Sequence, residues 1–179
     1  KSVIVFLTSD RKTTTMMISK LLSGAVLLLG SAALVAGEIY VIGAGMPRTG
    51  TTSFTGAMEM LGIKTYHMST GPISHPHQTL IWNDQFRSMY GGGGRNRIED
   101  LKKEMDKLGF NATADVPAST IYKDLMEAYP KAKVVMTIRS DGDGRAWAKS
   151  MLTSILPMNS EMRVIPYTWL PMFQGYNAM

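Results

Sequence analysis

Six consecutive residues, Arg48-Thr49-Gly50-Thr51-Thr52-Ser53, gather a guanidinium and several hydroxyls where the apolar stretch EIYVIG, Glu38 to Gly43, gives way to a helical pattern. Gly45 and Gly50 bracket that turn at the G-x-x-x-x-G spacing. Such a turn lets successive backbone N–H groups converge on one anion, and the helix start behind it favours negative charge through its dipole. A loop that hydrolyses nucleoside triphosphates wants Lys directly after the second glycine. Here that place is Thr51, and the nearby cation is Arg48, inside the loop. The spacing therefore predicts an anion-binding loop that does not work as an ATPase loop.

Two other readings compete for the same residues. Gly43-Ala44-Gly45 opens the dinucleotide fingerprint G-x-G-x-x-G, but its third glycine falls on Arg48, and Ile63 to Ser69 holds no carboxylate to meet a ribose. The third reading is a Gly/Thr turn that binds nothing.

The string Pro47-Arg48-Thr49-Gly50-Thr51-Thr52-Ser53 resembles the 5′-phosphosulfate loop of the sulfotransferases. The resemblance extends to Tyr66-His67-Met68, to Asp115-Val116-Pro117, and to YPKAKVVMTIRS followed by Trp147-Ala148-Lys149-Ser150, so it covers roughly Glu38 to Ser150. It is to the branch of the superfamily that opens with G-A-G-x-x-R-T-G-T. It implies transfer of a sulfuryl group from 3′-phosphoadenosine-5′-phosphosulfate to a hydroxyl or amine of a small-molecule or glycan acceptor, without a metal. By the same resemblance Arg48 neutralises charge on the leaving 5′-phosphate, Thr49, Gly50, Thr51, Thr52 and Ser53 donate to the phosphosulfate, and Arg139 and Ser150 hold the 3′-phosphate. The chain departs from the family where Arg139 and Ser150 stand 11 positions apart, with Gly142-Asp143-Gly144 resembling an insertion.

Sulfuryl transfer asks a protein for positioning, charge stabilisation and a base for the acceptor. Asp115, at an expected strand end, is one candidate base; capping the helix that starts near Pro117 is its alternative role. His67 is the other candidate, since histidine titrates in the right range, with a structural place beside Tyr66 as its alternative. His75 and His77 form an H-x-H without a third ligand and read as loop residues.

With 179 residues, 45% of them hydrophobic, the chain suits one core. The formal charge of +5 suits an anionic ligand, while the scatter of Lys and Arg signals no nucleic-acid surface. The lack of cysteine excludes disulfides and thiolate zinc sites, and the 15 Met residues read as flexible core filler.

These residues need a parallel sheet to hold them. The pattern predicts strands at Glu38–Gly43, Ile63–Met68, Asn111–Asp115 and Ala132–Ile138. Helices are expected at Thr51–Leu61, Gln78–Tyr90, Ile98–Leu108, Ala118–Tyr129 and Arg145–Leu156. Phe54, Ala57, Met58 and Leu61 should form the buried stripe of the first helix. The fold class is α/β, a three-layer parallel sheet of the phosphate-loop NTPase or sulfotransferase type. It is expected to be incomplete at the C-terminus, because the residues after Ser150 hold no counterpart of the family's basic, glycine-containing closing segment.

Residues 1–37 separate from a domain at 38–179. Leu21 to Gly37 carries no charge and follows Lys20, the layout of a signal peptide or a short anchor; packing into the domain is the alternative. This predicts a membrane-associated or secretory location, Golgi-type if the cell is eukaryotic, with the cytoplasm as alternative. In a lumen the sequon Asn111-Ala112-Thr113 becomes a glycan acceptor. The rival functions are a catalytically inactive nucleotide-binding or membrane-tethered module, and a degenerate phosphate-loop kinase or NTPase.

Overall fold

The structure, a computed structural model, describes residues 3–8, 37–139 and 144–155. Five parallel strands form one sheet: β1 (Val3–Thr8), β2 (Val41–Gly43), β3 (Thr65–Tyr66), β4 (Ala112–Thr113) and β5 (Lys133–Arg139), in the order β1-β5-β2-β4-β3. From β2 the chain builds β3 and β4 on one side, then crosses to β5 on the other. The carboxyl ends of β2 and β5 therefore meet where the winding reverses, which is where open α/β sheets bind ligands. Ile42, Val134 and Val135 are buried, as expected of near-continuous apolar strands covered on both faces.

β1 was not anticipated. It lies within the segment set apart as leader, yet it pairs in register with β5 from Val3 beside Val134 to Thr8 beside Arg139. Residues 21–36 of the apolar stretch lie outside the described residues, as do 140–143 and 156–179. No described helix is long and apolar enough to cross a membrane.

The helices are α1 (Thr51–Met60), α2 (Gln78–Met89), α3 (Ile98–Lys107), α4 (Tyr122–Ala128) and α5 (Arg145–Ser150). In α3, Ile98, Leu101 and Met105 share the buried face, while Glu99 and Asp100 in the first turn and Lys107 in the last complement the dipole. α1 departs from expectation. Its buried residues are Thr51 and Thr55, and the stripe Phe54, Ala57, Met58, Leu61 is only half covered. Thr51 is both the loop's end and the helix's first residue, so the face it shares with Thr55 is the one turned inward. The helix expected over Ala118–Tyr129 begins as a 3₁₀ turn, Ala118–Ile121, before α4. The last helix changes from α5 to a π turn at Met151–Ile155.

An aromatic cluster ties α2 to β3. Trp82 Nε1 donates to the Tyr66 hydroxyl at 2.7 Å, that hydroxyl donates to Gln78 Oε1 at 2.8 Å, and Phe110 meets the Tyr66 ring edge-on at 5.1 Å. Each buried polar tip thus finds a partner while its ring fills the core. The result fixes the strand end from which His67 emerges.

Asn111 is buried, and its Nδ2 donates to the Glu38 carbonyl at 3.0 Å; Thr113 lies fully inside the sheet. The sequon is therefore structural. A glycan on Asn111 has no room in the folded domain.

Candidate active site

The loop after β2 is shaped by glycines that have no alternative. A Cβ on Gly45 would stand 1.9 Å from Thr137 Oγ1, and one on Gly43 would stand 2.4 Å from the Thr113 carbonyl oxygen. Arg48 (φ 67) and Gly50 (φ 98) both take left-handed conformations, which turn the chain sharply into α1. For a non-glycine residue that conformation is uncommon and needs support from its surroundings.

Three long-range contacts supply it. The Thr49 hydroxyl donates to the Met46 carbonyl at 2.7 Å and meets Thr137 Oγ1 at 2.8 Å. Arg139 Nη1 donates to the Arg48 carbonyl at 2.9 Å, and Trp147 Nε1 donates to the Pro47 carbonyl at 2.8 Å. The Thr49 N–H also points back to Met46, so Thr49 braces the loop from within. The donors left for a ligand begin beyond it. No side chain caps α1 and no acidic residue occupies its first turn, so the N–H groups at its start are the unpaired donors of any helix N-terminus.

The loop residues 47–53, among them Arg48, Thr49, Gly50, Thr51, Thr52 and Ser53, line one cavity of about 370 Å³ with Asp115, Arg139 and Ile155. Expected cofactor residues from the loop after β2, from α1 and from β5 thus come together with an expected base. Ser150 arrives differently: its Oγ accepts from Arg48 Nε at 2.9 Å. The 11-residue separation of Arg139 from Ser150 does not keep them apart, because both reach Arg48, one at its carbonyl and one at its guanidinium.

Asp115 follows β4 with φ 63, a left-handed conformation that Asp tolerates better than most residues. Its carboxylate caps no helix; the Ser119 N–H goes to the Asp115 backbone carbonyl instead, at 2.8 Å. Oδ2 lies 3.2 Å from His67 Nε2, and Oδ1 is buried without a hydrogen-bond partner. Burial raises the Asp115 carboxyl above its ordinary range; His67 and the Val116 N–H work in the opposite direction. His67 is itself largely buried and does not line the cavity.

The other histidines stand elsewhere. His77 Nε2 lies 2.8 Å from Glu104 Oε2, His75 stacks edge-on against His77, and among the described residues no three His, Cys, Asp or Glu side chains gather as metal ligands. Nothing in the local sequence marks a role for Ser69 or for the indole of Trp147. Thr137, also without an expected role, has a legible signal, a hydroxyl at a buried position of a strand beside a glycine-lined loop.

A family model described as a sulfotransferase domain matches residues 40–179. The chain is similar to "Ava biosynthesis cluster protein M" of Aspergillus versicolor, 32% identical over 118 residues, which cover 65% of this chain and 43% of that protein. The match thus takes in less than half the length of the relative.

Proposed function

The chain belongs to the sulfotransferase family, and from that premise we propose that its loop cavity receives 3′-phosphoadenosine-5′-phosphosulfate and serves transfer of the sulfuryl group to a hydroxyl or amine. The observation that carries the reading is Asp115, which lines the cavity together with the loop and Arg139 and keeps one buried carboxylate oxygen, Oδ1, without a hydrogen-bond partner. Anion donors and a base side by side are what acceptor activation beside a bound phosphosulfate requires. The residues fit such a donor: the start of α1 lacks both a side-chain cap and acidic neighbours, and two arginines face the same space.

Bound there, the donor supplies the sulfuryl group and leaves as adenosine 3′,5′-bisphosphate. The acceptor's proton passes to Asp115 Oδ1 as its oxygen or nitrogen bonds to sulfur and the bond from sulfur to the 5′-phosphate breaks. Burial makes the Asp115 carboxylate a stronger base than a solvated one. Arg48 and the N–H groups that open α1 face the charge growing on the departing phosphate. Arg139 and Ser150, joined through Arg48, are the groups for the 3′-phosphate.

Titration calorimetry with adenosine 3′,5′-bisphosphate, ATP and NAD tests the reading. The bisphosphate should bind at about 1 μM, roughly 8 kcal/mol, and Arg48→Ala should weaken it by about tenfold or more. Equal binding of ATP, or no effect of the substitution, would sink it. One observation favours a degenerate kinase as second reading: Asp115 shares the cavity with Thr51 and Thr52, a hydroxyl and carboxylate set that suits Mg²⁺. Tighter binding of ATP with Mg²⁺ than of the bisphosphate would select it.

A further inference from the structure

We infer that His67 is a positioning residue for Asp115: Ser69 holds the ring so that Nε2 carries its proton toward Asp115 Oδ2, leaving Oδ1 to take the acceptor's proton. The inference rests on the reading of Asp115 as the base, and it removes His67 from that role.

The orientation follows from what each group can do. The Ser69 backbone N–H lies 3.3 Å from His67 Nδ1, and a peptide N–H can only donate, so Nδ1 must present a lone pair. The Ser69 hydroxyl meets the same nitrogen at 3.1 Å. With Nδ1 engaged as acceptor, the ring proton belongs on Nε2, the nitrogen 3.2 Å from Asp115 Oδ2. That contact is short but not well aligned as a hydrogen bond; catalytic contacts often tighten only when substrate is bound. A general base needs a free lone pair facing the substrate. His67 has its lone pair on the side of Ser69, whereas Asp115, which lines the cavity, keeps Oδ1 without a partner.

The backbone around His67 is held for this purpose. Its N–H donates to Thr70 Oγ1 at 2.9 Å, Thr70 Oγ1 donates to the Thr65 carbonyl at 2.7 Å, and the Gly71 N–H returns to the His67 carbonyl at 2.7 Å. Gly71 lets this turn close over Tyr66, for a Cβ there would stand 2.5 Å from the ring. The turn therefore aims one ring edge at Ser69 and the other at Asp115. The titratable and charged groups that face Asp115 are the His67 imidazole from the β3 side and, lining the same cavity, Arg48 from the loop and Arg139 from the end of β5.

The test reads the ring and the carboxylate directly and needs no acceptor. In protein labelled with ¹⁵N-histidine, His67 should show the form protonated on Nε2 alone; a proton on Nδ1 overturns the inference. The carboxyl carbon of Asp115, followed by NMR through a pH titration, should move to a higher midpoint in His67→Ala, because a partner that lowers it is gone, and should return part of the way in His67→Gln, whose amide again offers an N–H. An unmoved Asp115 in His67→Ala overturns the positioning role. If neither variant folds, the tautomer of the wild-type ring still decides. Failure of the sulfotransferase reading would look different: no binding of adenosine 3′,5′-bisphosphate, with the ring tautomer as stated.

Discussion

Asp115 combines three features that each cost stability: a left-handed backbone, burial, and a carboxylate oxygen without a partner. Such a combination persists where function holds it, and it makes Asp115→Asn an informative substitution. Asn tolerates the same backbone conformation and can still accept from His67, so the fold should survive. Because burial raises the carboxyl's titration point in the folded chain, the folded state binds its proton more tightly than the unfolded state does. The wild type therefore loses stability as pH rises through the interval between the ordinary carboxylate range and the raised value, and Asn removes that loss. Thermal melts should show Asp115→Asn level with the wild type in acid and gaining on it toward neutral pH, while bisphosphate binding is kept and transfer disappears. A variant that melts lower than wild type at neutral pH would contradict the assigned role of burial. For the wild type, the acid limb of the rate profile should sit above the ordinary carboxylate range, since the base must be ionised.

Between residue and fold, the elements divide by how local their signals are. The loop, α1 and β5 were legible because glycine spacing, hydroxyls at a helix start and a β-branched run act within a few residues. The braces were not: Thr49 meets Thr137 across 88 positions and Trp147 reaches Pro47 across 100. Likewise His67 and Asp115 are rival bases by sequence alone, and only the sheet, which sets β3 beside β4, joins them as partners. Two alanine substitutions in one βα unit separate loop shape from helix propensity. Gly45→Ala drives a methyl into Thr137 Oγ1 and should destabilise by about 1–3 kcal/mol through overpacking, with bisphosphate affinity lost alongside. Gly56→Ala, in the middle of α1 with open space around it, should stabilise by about 0.5–1 kcal/mol and leave affinity alone. Denaturant melts of the pair measure both; equal effects would mean that the tight fit at Gly45 is relieved by a shift of Thr137.

At the scale of the whole molecule, the sequence set residues 1–37 apart from the catalytic domain, whereas β1 binds that segment's start to the sheet. β5 carries both Thr137 and Arg139, and β1 is its neighbour on the side away from β2. Removing residues 1–36 leaves β5 as an edge strand, with the unpaired N–H and C=O groups that edges present. We therefore expect the shortened chain to melt lower and to bind adenosine 3′,5′-bisphosphate more weakly than the full chain. Arg139, the cation at the end of the strand made bare, should be the site through which affinity is lost. Unchanged melting and affinity would show that residues 38–179 stand as an independent unit and that β1 is dispensable. Location is a separate question: we propose that the uncharged stretch Leu21–Gly37 directs the chain to a membrane or into the secretory pathway. Fractionation of cells carrying the full chain tests this, and recovery in the soluble cytosolic fraction would refute it. Glycan addition at Asn111 is no longer a suitable marker, because its side-chain amide is bound to Glu38 inside the domain. Even in a lumen, the folded, bisphosphate-binding protein should carry no glycosidase-sensitive mass at that position. A glycan on Asn111 in protein that still binds the bisphosphate would mean that the β2–β4 side of the sheet opens far enough to expose it.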